Sequence, residues 1–317
     1  MKKMFIYSVL CYVLLLFTSS AHAAHCHATS GSANFGTLNS FLIQSQPQIT
    51  SGTTGFFCTG SLASILGTNT VSGNIVSTNN QSGSTPRLYN STTGSYVPYS
   101  LCKTSACTTT YQVGDTITWS STTLLGLLGL FNSTDGSLPI YVRTTAGANV
   151  PAGTYTDTIN MHWTWTLCDV GVLGACLYDT GSADSTITVT LVVSNYCYID
   201  SAPDIDFGSA ALPNAFTSIN SSMQTRCTQG ATYTVKLTSA NGEVNNLRRM
   251  SANINSTSYY LLYQLYRSNV AWTQTNDYSS TGTGFAQTIN YTATIDASQA
   301  NQPAGQYNDT VTVTLTY

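Results

Sequence analysis

Nine cysteines are the residues of this chain with the most chemistry to offer, and their spacing decides which chemistry that is. Cys11 lies inside an apolar run near the start, leaving Cys26, Cys58, Cys102, Cys107, Cys168, Cys176, Cys197 and Cys227 as an even set. A zinc site needs Cys and His clustered at short spacing. These are strung along the chain, so oxidation in pairs is the default for an exported protein. An internal repeat favours Cys26–Cys58 and Cys197–Cys227, and proximity favours Cys102–Cys107 and Cys168–Cys176, although sequence alone does not fix the connectivity.

The remaining reactive side chains form no catalytic pattern. His162 alternates with strand residues and reads as an ordinary strand histidine, while His25 and His27 flank Cys26 at a spacing unspecific for metal. Asp157 and Asp309 occupy matching "DT" turns in different halves of the chain, which suits turn or hydrogen-bonding roles better than a carboxylate pair. No nucleophile elbow, His-Glu-x-x-His or phosphate-cradling glycine loop is present. The chain is expected not to be an enzyme and to need no cofactor and no metal. A net charge of −3 gives no nucleic-acid footprint.

The elements that position these residues begin after a signal peptide. Lys2 and Lys3, an apolar stretch over 5–17 and Ala21-His22-Ala23 predict cleavage after Ala23, and the stretch is too short to favour a membrane anchor. Beyond it, period-two alternation dominates. Ile159, Met161, Trp163, Trp165 and Leu167 share one face; so do Ile187, Val189, Leu191 and Val193, and so do Val311, Val313, Leu315 and Tyr317. Gly, Asn, Ser and Pro clusters separate such runs and no long helical pattern competes. The expected fold is all-β, with two antiparallel β-sandwich domains over 24–194 and 195–317.

The two halves repeat one plan. Cys197 and Cys227 echo Cys26 and Cys58, "DFG" at Asp206 echoes "NFG" at Asn34, and "PAGQYNDT" at Pro303 echoes "PAGTYTDT" at Pro151. After the first turn come two further strand-like runs; after the second comes only "VTVTLTY". The second domain is thus expected to lack its final strand, leaving Val311, Val313, Leu315 and Tyr317 as an edge that templates a strand from another chain. A competing alignment pairs "VTVTLTY" with "TITVTLVV" at Thr186. The first is preferred, since "YTDT" and "YNDT" each run straight into a strand.

The order Cys197, Asp206-Phe-Gly, Cys227, "YTVKL" at Tyr233, "RRM" at Arg248, "YQLY" at Tyr263, Trp272 and "GQYNDTVTVTLTY" resembles the spore coat protein U-like domain family. That family includes subunits of archaic (Csu-type) chaperone–usher pili. The likeness covers nearly all of 197–317 and is patchier over 24–194. It implies immunoglobulin-like domains, the second completed by donor-strand complementation. The implied partners are a periplasmic pilus chaperone, an outer-membrane usher and the next pilus subunit, which donates an N-terminal strand.

Cys26 follows the expected cleavage site so closely that little remains to donate, and a chain that accepts a strand without giving one belongs at the pilus tip. The first domain is longer, with its excess in segments expected to be loops, where function usually sits. Leu124, Leu125, Leu127, Leu128, Leu130 and Phe131 read either as core or as an exposed Gly-hinged finger. Val170, Val172 and Leu173, between Cys168 and Cys176, form a candidate second finger, and Tyr96, Val97, Tyr99 and Leu101 a third. The leading reading is a secreted tip adhesin that binds an abiotic or host surface through these loops. A non-adhesive structural or fibre-initiating protein and a lectin-like module using Tyr96, Tyr99 and Tyr111 are the alternatives.

Overall fold

The computed structural model describes residues 25–59, 63–64, 69–121, 137–172 and 175–317. These fall into two compact units. The first comprises Met1–Gly36, Pro47–Thr145 and Tyr155–Leu191; the second comprises Thr37–Gln46, Ala146–Thr154 and Val192–Tyr317. Among the described residues the protein is all-β apart from one short helix, α1 (Ser40–Ser45), capped by Asn39, and a 3-10 turn at Pro213–Ala215. No helix among them is long and apolar enough to cross a membrane.

Among the described residues, twelve strands lie between His25 and Ser194. They are β1 (His25–Ala28), β2 (Gly31–Asn39), β3 (Ile49–Thr59), β4 (Ala63–Ser64), β5 (Asn69–Thr78), β6 (Arg87–Asn90), β7 (Ser95–Cys102), β8 (Thr110–Tyr111), β9 (Thr116–Ser121), β10 (Ser137–Thr144), β11 (Gly153–Val172) and β12 (Ala175–Ser194). Their sheet runs β12-β2-β3-β10-β7-β6-β11-β5-β9, and because β12 also pairs with β11 the path closes on itself as a barrel. Alternation sets the inward face: Ile159, Met161 and Trp163 of β11 and Ile187, Val189 and Leu191 of β12 are all buried. Trp163 stacks on Phe56 at 5.2 Å and meets Trp119 at 5.8 Å, which centres the core.

The second half holds β13 (Cys197–Ser201), β14 (Ile219–Cys227), β15 (Thr232–Ser239), β16 (Glu243–Val244), β17 (Leu247–Ile254), β18 (Thr257–Arg267), β19 (Val270–Ala271), β20 (Tyr278–Thr281), β21 (Ala286–Ile295) and β22 (Val311–Thr316). One sheet runs β13-β14-β21-β18-β17-β16, with β19 on β18, and a separate sheet runs β20-β15-β22. Neither closes. β13 and β22 each end a sheet, and among the described residues no strand joins them.

The repeat read from sequence is visible in local geometry. Cys26 pairs with Cys58 across β1 and β3, and Cys197 with Cys227 across β13 and β14, each as a disulfide with Cα atoms 4.1 Å apart. Cys102–Cys107 and Cys168–Cys176 are also bonded. In "NFG" and "DFG" the side-chain oxygens of Asn34 and Asp206 accept from the amides of Gly36 and Gly208, both at 2.8 Å, and both glycines take positive φ.

The segments expected to be loops of the first half are in part strands. Residues 89–115 contain the second half of β6, all of β7 and β8, and a buried Cys102. The stretch after Leu167 continues β11 to Val172 and starts β12 at Ala175, because contacts across the hairpin hold it extended. Trp165 Nε1 donates to Asp179 Oδ2 at 3.3 Å, and Cys168 bonds to Cys176.

Candidate functional site

The free side of β22 is where the two halves of the repeat part company. In both units the strand after the "DT" turn pairs on one side with its neighbour, Met161 opposite Ile75 in β11–β5 and Val313 opposite Leu237 in β22–β15. On its other side β11 has β12. The matching positions accordingly differ in burial. Tyr155, Asp157, Ile159, Met161 and Trp163 are at most 2% exposed, whereas Tyr307, Asp309, Val311, Val313 and Leu315 are only half-buried.

Beside that edge the second unit has a cavity of about 210 Å³. Ile205 and Phe207 after β13, Met223 and Met250 from the facing sheet, and Tyr307, Val311 and Val313 line it. A second space is lined by Leu212, Pro213, Phe216, Pro303 and Tyr307, the last shared with the first. The first space mixes its apolar side chains with Asp204, Asn308 and Asp309 and lies beside the core cluster of Tyr233, Val235, Leu237, Trp272 and Ala293. Tyr317, 52% exposed, follows β22 and meets Tyr196 at 6.3 Å; Tyr196 in turn meets Phe41 and Tyr198.

A polar cluster locks the turn that launches each strand. Tyr99 donates to Asp157 at 2.8 Å, Asn80 donates its backbone and side-chain amides to the same carboxylate, and Arg87 Nε donates to the Asn80 carbonyl at 3.0 Å. In the second unit Tyr263 donates to Asp309 at 2.6 Å, Asn241 donates both amides, and Arg249 Nε donates to the Asn241 carbonyl at 3.0 Å. Arg87 lies over Tyr96 at 4.0 Å and Arg249 over Tyr260 at 4.5 Å. Burial, reinforced by Asp157, pushes the Tyr99 phenol up; burial and then the bond to Asp309 do the same to Tyr263. Sequence reading put Asp157 and Asp309 in structural roles but missed their Tyr, Asn and Arg partners. The signal was the shared Tyr-x-x-Tyr spacing of 96–99 and 260–263.

Arg248 is fully buried and has no counterpart in that pattern. Its guanidinium donates to Gln264 Oε1 at 2.6 Å and to the Leu237 carbonyl at 3.2 Å, with Glu243 3.6 Å away. Burial lowers its pKa while Glu243 opposes the shift.

The predicted loop residues fare unevenly. Val97 and Tyr99 are not surface-binding residues: both are fully buried, as is Leu101, because they form the inward face of β7. Of that candidate finger Tyr96 alone is exposed, at 39%, and it is engaged by Arg87 and stacked on Tyr89. Val170 and Val172 sit at the end of β11, where Val170 pairs in parallel with Ala63. Leu173 and the run Leu124, Leu125, Leu127, Leu128, Leu130 and Phe131 lie outside the described residues. His162 Nδ1 lies 2.5 Å from Asp184 Oδ1 on the exposed face, and no group of three or more metal-ligating side chains occurs among the described residues.

Fold and site together define a disulfide-braced, internally duplicated all-β protein with one closed unit and one unit open along a strand edge. The chain belongs to the Spore Coat Protein U domain family, whose model matches residues 13–162 and 183–314. Its fold is that of a chain in the CsuC–CsuE chaperone–tip adhesion subunit pre-assembly complex from the archaic chaperone-usher Csu pili of Acinetobacter baumannii. The two are 24% identical, with 93% of this chain and 100% of that chain covered and a TM-score of 0.62. CfaE, the adhesive subunit of CFA/I fimbria of enterotoxigenic Escherichia coli, is 10% identical over 91% of this chain and 92% of that one, with a TM-score of 0.35. The CupB6 tip adhesin of Pseudomonas aeruginosa is 11% identical over 92% and 94%, with a TM-score of 0.33. The last two are too distant in shape to carry an argument. No curated protein sequence matches.

Proposed function

We propose that the chain is the tip adhesin of an archaic chaperone–usher pilus. In this reading each unit is an immunoglobulin-like domain, roughly 24–194 and 195–317. The second lacks its closing strand and accepts one along Val311, Val313, Leu315 and Tyr317, first from a periplasmic chaperone and then from the next subunit delivered by the outer-membrane usher. The observation that carries it is the burial difference: positions fully buried along β11, which has β12 beside it, are only half-buried at β22, beside a cavity lined by Ile205, Phe207, Met223 and Met250 together with Asp204 and Asp309. An exposed, unpaired strand edge flanked by apolar surface is a site for β-augmentation. Family membership and a fold shared over 93% of the chain with a chain of a chaperone–tip adhesion subunit complex support the pilus setting.

Surface binding is assigned to apolar residues of the first half of the chain, Leu124, Leu125, Leu127, Leu128, Leu130 and Phe131 foremost, with Val170 and Val172 at the end of β11 and Leu173 next in sequence. The target is an abiotic or host surface, and the protein acts at the cell surface after export through the periplasm.

The test has two arms. Fusing an alternating-apolar strand after Tyr317 should raise the melting temperature of the second unit; no change would end the acceptor reading. Replacing Leu124, Leu127 and Leu130 with Ser should abolish attachment to hydrophobic surfaces while leaving the melting curve unchanged. Retained attachment would remove the adhesive assignment, and a lost fold would return the run to the core.

A further inference from the structure

We propose that Met250 is an oxidation site. Its thioether takes up oxygen from a small hydroperoxide that enters the cavity beside β22, and the sulfoxide formed there closes the second unit to an incoming strand. The site itself rests on geometry alone, and its consequence rests on the acceptor reading above.

The chain has five methionines; Met1 and Met4 open it, and Met161, Met223 and Met250 lie in β11, β14 and β17. Met161 belongs to the core of the closed first unit and is 1% exposed. Met223 and Met250 both line the cavity of about 210 Å³ in the open one. Of these two, Met223 is 2% exposed and Met250 only half-buried. The cavity communicates with solvent, since Asp204 in its lining is exposed and Tyr307, Val311 and Val313 are half-buried.

The repeat shows what a closed unit carries at the same places. Arg87 and Arg249 correspond, so Leu88 stands where Met250 does, and Leu88 is fully buried. Four residues before Cys58 and Cys227 come Thr54, also fully buried, and Met223. The open unit therefore holds sulfur at two positions where the closed unit has none. An unbranched thioether adapts its shape to whatever is laid over it, which suits a wall that is covered late. Unlike leucine, it also has a lone pair that attacks peroxide oxygen.

In that step the sulfur attacks one oxygen of the hydroperoxide. The S–O bond forms as the O–O bond breaks; sulfur gives up two electrons, and the departing oxygen takes the proton and leaves as water or an alcohol. Asp204, Asn308 and Asp309 give the cavity the polar partners that admit hydrogen peroxide as they admit water. Two phenols of the lining, Tyr263 and Tyr307, already donate to Asp309 and to the Pro303 carbonyl. A sulfoxide oxygen covered by a strand without a donor weakens the binding of that strand.

The experiment exposes the full disulfide-bonded chain to hydrogen peroxide and follows each methionine by peptide mass spectrometry. Met250 should gain one oxygen about tenfold faster than Met161, because exposure governs susceptibility. The oxidised chain should bind a labelled alternating Thr-Val peptide about tenfold more weakly than the untreated chain, and methionine sulfoxide reductases should restore the binding. Met250→Leu sets the residue of position 88 there at nearly conserved volume and should make peptide binding indifferent to peroxide. Equal oxidation of Met250 and Met161 overturns the site. Peptide binding that survives oxidation of Met250, or that peroxide abolishes equally in Met250→Leu, overturns its consequence. If the untreated chain binds no peptide, and a strand fused after Tyr317 neither raises the melting temperature nor shields Met250, acceptance fails and takes the consequence with it, while the mass spectra decide the site separately.

Discussion

Tyr263 donates its phenolic hydrogen to Oδ2 of Asp309 at 2.6 Å, tying the middle of β18 to the turn that launches β22. Tyr99 and Asp157 make the same link at 2.8 Å. The two bonds differ in surroundings, since Asp157 is 2% exposed and Asp309 half-buried. Removing the hydroxyl leaves a carboxylate short of a donor, which costs about 1.5–3 kcal/mol for a charged partner. Tyr99→Phe should therefore destabilise the first unit more than Tyr263→Phe destabilises the second, where water can replace the donor. Urea midpoints of the two variants check the order.

The same phenols make stability depend on alkali. Both have folded-state pKa values raised above the ordinary 10.0, by burial first and the neighbouring carboxylate next. Their neutral forms thus stabilise the fold fully below about pH 10, and the contribution is lost as pH rises above that value toward the folded pKa. Urea midpoints should fall between about pH 9 and pH 11, and a Tyr99→Phe/Tyr263→Phe double variant should show a flatter profile. An unchanged slope would mean that other groups govern alkaline unfolding.

Gly181→Val forces a branched side chain against the Trp165 indole. Overpacking of this kind costs about 1–3 kcal/mol, so the melting temperature of the first unit should drop while that of the second stays put. A thermal scan of the variant beside the parent reads this directly.

Cys197→Ala/Cys227→Ala removes the disulfide joining β13 to β14. Loss of a native disulfide from a small exported domain costs about 2–5 kcal/mol. Denaturation of the double variant should show the second unit unfolding first, and coincident unfolding of both units would contradict it.

Much of this was legible in the sequence where the information is local. Alternation marked β11, β12 and β22, "NFG" and "DFG" marked the repeat, and the repeat pointed to the edge of β22. Reading failed where a strand lies in a stretch that the second half of the repeat lacks. Val97, Tyr99 and Leu101 alternate as any strand does, but the segment is longer than its counterpart in the second half of the repeat, which made β7 look like an inserted loop. Arg87, Asn80 and Tyr99 were invisible for a different reason: each meets Asp157 or a neighbour of it only after strands distant in sequence are brought together.

The Cys197–Cys227 bond also decides how the second unit bears load. Tension carried along the backbone from β12 enters at the first residue of β13, which is cross-linked to the last residue of β14. β14 lies inside its sheet, held by β13 on one side and β21 on the other. A pull therefore cannot unzip β13 from its end one hydrogen bond at a time; it passes through the covalent link and must shear β14 against β21, whose eight paired positions share the force.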